Sequence, residues 1–159
     1  MEKSPKNYDV LIIGAGPAGA NAAISYKNLN PNLTVGLVDK AIFPRDKSCG
    51  DAIGPGVISA LKRFNNEHIL DGEPQVVSTT LYGPDNIGIQ NYIPEVKNKE
   101  DSIVYVIPRV DLDNRILDLA KDCGVDVYEG FSFVDFTSNL DKSLNVQIKN
   151  ENENLEFLT

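Results

Sequence analysis

The feature that most constrains this chain is Gly14-Ala15-Gly16-Pro17-Ala18-Gly19, set between an apolar run and an alanine-rich segment. The preceding run, Tyr8-Asp9-Val10-Leu11-Ile12-Ile13, is nearly continuous in apolar character, as a strand buried on both faces requires. Residues 17–29 open with proline at the first helical position, where its missing N–H is no loss. Asn30-Pro31-Asn32 then stops the helix. Residues 34–38, Thr-Val-Gly-Leu-Val, give a second apolar strand that ends at Asp39. Strand, helix and strand in this order predict a βαβ unit of a parallel sheet.

A G-x-G-x-x-G pattern gains meaning only from such surroundings. In that setting Gly14 permits the tight turn, Gly16 lets backbone approach a pyrophosphate, and Gly19 lets the helix pack close to the strand. The helix start offers unpaired N–H groups and a partial positive charge to phosphates. Asp39, at the end of the second strand, is placed to accept hydrogen bonds from the ribose hydroxyls of a dinucleotide. Its charge would repel a 2′-phosphate, which predicts FAD or NAD rather than NADP. The alternative is a glycine-rich turn in an α/β protein that holds no dinucleotide.

Composition narrows the remaining classes. With 159 residues the chain fits one domain with a sizeable core. Its formal charge of −8 works against nucleic-acid binding, which neutralises phosphates with Lys and Arg. The two cysteines, Cys49 and Cys123, cannot make a tetrahedral zinc site by themselves, and the single His68 stands at no ligand spacing to either. No metal site is expected. No apolar run approaches the roughly 20 residues of a membrane span, and the N-terminus lacks the pattern of a secretory signal. A cytoplasmic location is the expectation, and in a reducing compartment a disulfide is disfavoured.

Further along, residues 57–66 carry Val57, Leu61 and Phe64 at helical spacing. Residues 75–107 change character: Val-Val-Ser-Thr-Thr-Leu-Tyr-Gly, Asn-Ile-Gly-Ile-Gln-Asn-Tyr-Ile and Ser-Ile-Val-Tyr-Val-Ile-Pro alternate with Gly, Pro, Asn and Asp. They predict short antiparallel strands inserted into the first domain. Residues 111–123 place Leu112, Ile116 and Ala120 on one helical face, with an aspartate available as cap. Residues 125–130 return as a strand, and 131–159 read as a small β-meander. The fold class expected is therefore α/β, a Rossmann-like βαβ with an inserted antiparallel sheet and a C-terminal meander.

Two stretches, 9–23 and 38–56, together resemble the N-terminal part of FAD-dependent oxidoreductases of the geranylgeranyl reductase family. Within the second, Phe43-Pro44-Arg45-x-Lys47-x-Cys49-Gly50-Asp51 follows the acid as in that family. Residues 108–130 are similar to its R-x-x-(F/L)-D-x-x-L-x-x-x-A-x-x-x-G segment, through Arg109, Leu112, Asp113, Ile116 or Leu117, Ala120 and Gly124. The resemblance runs from residue 8 to about 136 and is less specific over 60–105. Family members are longer, and their later G-D motif is not found here. The chain thus reads as the N-terminal part of an FAD/NAD(P)-binding domain, with 75–107 belonging to a substrate domain.

The resemblance implies FAD as cofactor, held by Gly14, Ala15, Gly16, Pro17, Ala18 and Gly19 at the pyrophosphate. It implies Asp39 at the ribose, Lys40 among the cofactor-binding residues, Arg45 on the phosphate side, Cys49 and Gly50 near the flavin, Arg109 on FAD, and Phe133 at the adenine end. Asp39 departs from the usual Glu by one methylene. The implied activity is reduction of carbon–carbon double bonds of an isoprenoid chain, with NAD(P)H or reduced ferredoxin as electron donor. A prenyl-lipid substrate implies peripheral membrane contact of the full-length enzyme. The alternatives are a flavin-dependent monooxygenase or halogenase of the same fold, or a non-catalytic FAD-binding module. No catalytic residue is assigned; Cys49 is the one candidate. Lys47, His68, Asp111 and Asp113 read as solvated or helix-end charges, Cys123 as a small core residue, and Tyr82, Tyr92 and Tyr105 as strand aromatics.

Overall fold

In the computed structural model, residues 6–92 and 104–159 are described. They form two compact units, one of residues 6–46 and 110–159, the other of residues 47–92 and 104–109.

The first unit is built on a parallel sheet. Strand β2 (Val10–Ile13) leads into helix α1 (Pro17–Leu29) and back to strand β3 (Val35–Asp39). The predicted βαβ unit is thus present, its helix over the expected residues. Val10 pairs with Val35 and Ile13 with Val38. Strand β8 (Asp126–Glu129) joins the far side of β3, giving the order β2-β3-β8, all parallel. A central strand has no solvent face, which is why Val35, Leu37 and Val38 are almost wholly buried. Helix α1 lays Ala20, Ala23 and Ile24 on the sheet. Alanines keep the helix close to the strands, and Gly19 brings it closer still.

The C-terminal meander is a second sheet. Strands β9 (Ser132–Ser138), β10 (Leu144–Lys149) and β11 (Asn154–Leu158) pair antiparallel in sequence order, with a bulge between Gln147 and Ile148. The short strand β1 (Lys6–Asn7) adds to β11 in parallel. Tyr8, Val38, Phe131, Val146, Ile148 and Phe157 pack into one cluster that joins the two sheets. At its edge Lys6 Nζ lies 2.6 Å from Asp126 Oδ2, and the Tyr8 hydroxyl donates to the same oxygen at 2.9 Å. The Tyr8 and Tyr128 hydroxyls are 2.7 Å apart. Burial, with the Tyr128 and Asp126 contacts behind it, pushes the Tyr8 phenol well above its ordinary range.

Helix α3 (Arg109–Asp122) buries Leu112, Ile116, Leu117 and Ala120. The predicted stripe is correct, with Leu117 added. The helix starts two residues earlier than expected, and its cap is not one of its own aspartates. Asp51 Oδ1 instead accepts from the Arg109 amide at 3.3 Å.

The second unit holds strand β4 (Ala52–Ile53), helix α2 (Pro55–Lys62), a 3-10 turn at Glu67–Leu70, and strands β5 (Ser78–Tyr82), β6 (Gly88–Tyr92) and β7 (Tyr105–Val106). β5 and β6 form an antiparallel hairpin, and β4 pairs antiparallel with β7. Of the strand expected over 102–108, residues 102 and 103 lie outside the described residues, as does Ile93. The helical face also differs from expectation. Ile58 and Leu61 are buried while Val57 is exposed, because α2 ends at Lys62 and its inward stripe is set by Ile58. Tyr82 is exposed on the hairpin and Tyr105 is half-buried. No helix among the described residues is long and apolar enough to cross a membrane.

Candidate functional site: a dinucleotide cradle

The carboxyl ends of β2 and β3 carry the glycine loop, at the place where ligands bind in open α/β sheets. Gly14 has φ +106°, a conformation that strains any side-chain-bearing residue. Its amide donates to the Val38 carbonyl at 2.7 Å, which ties the loop to the neighbouring strand. A Cβ on Gly19 would collide with the Gly14 carbonyl and stand 3.3 Å from Ile12 Cγ2. Close helix–strand packing, the role the spacing predicted for Gly19, is what the structure shows.

The start of α1 is open to an anion. Gly16 occupies the N-cap, Pro17 stands in the first turn, no side chain of the described residues caps the helix, and its first turn holds no acid. The positive end of the helix therefore meets no acid of its own first turn. Both features fit a phosphate group.

Asp39 is engaged by backbone on both oxygens. Oδ2 accepts from the Ala15 amide at 2.7 Å and Oδ1 from the Ala41 amide at 2.8 Å. The carboxylate so locks the glycine loop to the end of β3. A carboxylate has about four acceptor positions, so about two remain for ribose hydroxyls. The shorter side chain fits this double task, since it keeps the carboxylate close to the loop backbone.

Beside it lies a cavity of about 320 Å³ lined by Ile13, Gly14, Val38, Asp39, Lys40, Phe131, Ser132 and Phe133. Its size falls at the lower end of small-molecule sites, roughly 300–1,000 Å³. Phe133 and Lys40, both singled out from the sequence, line it; Phe131 and Ser132 had no sequence signal beyond their position next to Phe133. A larger, open hollow of about 750 Å³ shares Lys40 and Ser132 and continues over Lys149 to Asn152. The smaller one borders the glycine loop and is the better candidate for a base. The wall between Lys40 and Phe131 is held by Phe131 N–H to the Asp39 carbonyl at 3.0 Å and Gly130 N–H to the Ala41 carbonyl at 3.1 Å. Glu129 adds a bond from the Phe43 amide at 2.7 Å, and its other oxygen pairs with Lys121 at 2.9 Å.

Arg45 comes to the glycine loop as well. Its guanidinium lies over the Phe43 ring at 4.8 Å, and a Cβ on Gly16 would stand 3.4 Å from Nη2. Nη1 is 3.1 Å from Asp113 Oδ2, close enough for an ion pair, yet it is buried and aligned on no acceptor among the described residues. Asp113 is wholly buried. Its reading as a helix-start charge is therefore corrected. Asp113 points inward from the first half of α3 because a buried carboxylate is tolerable only beside a cation. Asp111, by contrast, is exposed. The signal for Asp113 was its place in the R-x-x-L-D segment, which carried no assigned role.

In the second unit, Cys49 and Gly50 are exposed. The Asp51 backbone amide, and after it the Arg109 side chain, hold the Cys49 thiol below the ordinary thiol range. Gly50 has no neighbour within 4 Å of a would-be Cβ. Cys123, read as a core residue, is only partly buried, and that burial pushes its thiol upward. His68 is exposed, 3.3 Å from the Asn65 carbonyl. Among the described residues no cluster of His, Cys, Asp or Glu has the makings of a metal site.

The chain has a Rossmann-type α/β fold, the fold of solved FAD-dependent flavoproteins over most of its length. No protein-family model matches the chain. The chain is similar to a menaquinone reductase of Mycolicibacterium smegmatis, 34% identical over 129 residues, covering 81% of this chain and 30% of the relative. A digeranylgeranylglycerophospholipid reductase of Picrophilus torridus is 29% identical over 124 residues, covering 77% and 30%. Among solved structures, a myxobacterial FAD-dependent chondrochloren halogenase superposes with TM-score 0.76 at 23% identity, over 96% of this chain and 36% of its own. A geranylgeranyl bacteriochlorophyll reductase-like protein of Thermoplasma acidophilum gives 0.77 at 22% identity, over 97% and 38%. The chain thus spans about a third of the length of the proteins it matches. These relatives and neighbours include reductases and an FAD-dependent halogenase.

Proposed function

We propose that this chain is the FAD-binding part of a flavin-dependent oxidoreductase that reduces carbon–carbon double bonds of an isoprenoid chain. The observation that carries the dinucleotide assignment is the cradle itself, and the FAD-dependent enzymes among the structural neighbours support FAD. A positive-φ glycine turn, an uncapped helix start and a carboxylate locked to the loop amide converge at the ends of two parallel strands. Within it, Gly16, Ala18 and Gly19 would hold the pyrophosphate, Asp39 the ribose, and the cavity between Lys40 and Phe133 the adenine. Arg45 would supply the positive charge against the phosphates. Hydride transfer to a substrate double bond is the chemistry a bound flavin supplies. The residues of this chain bind and orient; Asp39 and the Gly14 turn fix the loop before ligand arrives, so little ordering is left to binding. Cys49, Gly50 and Arg109 are assigned to the same cofactor by resemblance.

The isoprenoid substrate is supported by the archaeal lipid reductase among the relatives. A monooxygenase or halogenase activity is the second reading, supported by the halogenase neighbour. Titration of the protein with FAD, followed by flavin fluorescence and visible absorbance, tests the first step. Binding weakened at least tenfold by Asp39→Ala or Gly16→Val supports the cradle; equal binding by wild type and both variants refutes it. Anaerobic reduction of a prenyl substrate by the flavin-loaded protein supports a reductase. A product formed only with oxygen supports the second reading.

A further inference from the structure

Asp113 is the one wholly buried charged side chain among the described residues. It lies on a helix whose other carboxylates, Asp111, Asp118 and Asp122, are exposed. Its placement is explained by what it touches. Asp113 Oδ2 stands 3.1 Å from Arg45 Nη1, the Phe43 ring lies under the guanidinium at 4.8 Å, and Nη2 lies 3.4 Å from where a Cβ on Gly16 would stand, at the start of α1. A guanidinium is a planar fork, so a carboxylate beside one edge and a ring over one face limit where the other edge can lie. Here that edge lies near the N-cap of a helix that has no acid in its first turn.

We propose that Asp113 is a positioning residue. Through the ion pair at Nη1 it keeps Nη2 of Arg45 near the start of α1, and so makes the site selective for ligands that carry a diphosphate. This rests on the dinucleotide reading above. Two effects of Asp113 oppose each other, and their balance makes the proposal refutable. As a charge, the carboxylate reduces the positive potential felt by phosphates, so its removal would tighten anion binding. As an orienting contact it aims the fork, so its removal loosens binding. The burial of the pair and the three-sided confinement of the guanidinium favour the second effect.

The test compares adenosine with ADP as competitors of FAD, in wild type, Asp113→Asn, Arg45→Gln and the double variant. A wild-type preference for ADP of about tenfold or more is expected from one charge-assisted contact. Asp113→Asn should lose most of that preference while adenosine binding stays within about twofold of wild type. The double variant should be no worse than Arg45→Gln, since Asp113 acts through Arg45. A merely structural role would weaken adenosine and ADP together. An ADP preference that is unchanged or increased in Asp113→Asn, or losses that add in the double variant, would overturn the proposal. If Asp113→Asn does not fold, Arg45→Lys decides. Lysine keeps the charge and can pair with Asp113, but it has no second edge, so the ADP preference should fall as in Arg45→Gln; its retention overturns the proposal. A wild type that binds neither FAD nor ADP refutes the dinucleotide reading, and this proposal with it.

Discussion

Gly19→Ala sets helix propensity against packing, and the two give opposite signs. Gly19 lies in the first turn of α1. By propensity, alanine should stabilise a helix by about 1 kcal/mol over glycine. The structure predicts the reverse. The new Cβ would collide with the Gly14 carbonyl and press on Ile12 Cγ2 at 3.3 Å. Neither can yield easily, for Gly14 is tied to Val38 at 2.7 Å and its loop to Asp39 through Ala15. Overpacking of a tight core costs about 1–3 kcal/mol, and a collision with a backbone carbonyl that is itself held in place belongs at the upper end. Against the propensity gain, the net is a loss of about 2 kcal/mol. For a chain of this size that is a fall in Tm of about 4–8 °C. Gly16→Ala is the control. Its Cβ would meet only the end of the Arg45 side chain at 3.4 Å, so the N-cap change should cost about 0.5–1 kcal/mol. Urea unfolding followed by circular dichroism measures both. A Gly19→Ala protein as stable as wild type, or more so, refutes the close-packing account of the loop.

Three further outcomes are expected. Iodoacetamide at neutral pH should alkylate Cys49 several-fold faster than Cys123, because one thiol is exposed and lowered and the other partly buried and raised; Arg109→Gln should slow Cys49, read by peptide mass spectrometry. The Lys6 contact, opposed by burial and aided by Tyr8, holds the Asp126 carboxyl below its ordinary value of 3.8. Its stabilisation is therefore present above that value and is lost as pH falls through the lower folded one. The pair is half-exposed, so the amount is at most about 1 kcal/mol, and Asp126→Asn should flatten the acid limb of the stability profile below pH 4. Tyr8→Phe removes a hydroxyl bonded to Asp126 and Tyr128, with an expected loss of about 1–2 kcal/mol in the same unfolding assay.

The βαβ unit, the glycine turn, the acid at the end of β3 and the meander could all be read from the order of residues. Each of these is local. An apolar run, a proline at a helix start or a glycine at a positive φ is written within a few residues, and the physics that reads it needs no distant partner. The buried stripe of α3 was legible for the same reason.

The long-range partners emerged only from the packed fold. Asp113 looked like a helix-start charge because its cation, Arg45, is 68 residues away in the sequence and the pairing leaves no local trace. The cap of α3 came from Asp51 rather than from a nearby aspartate. Asp39 was legible as the end of β3, but its bonds to Ala15 and Ala41 exist only once β2 and β3 lie side by side. Periodicity tells which side chains turn inward. Which of them meet is fixed by how the strands and helices pack, because a buried charge takes its partner from whatever element the fold brings within 3–4 Å of it.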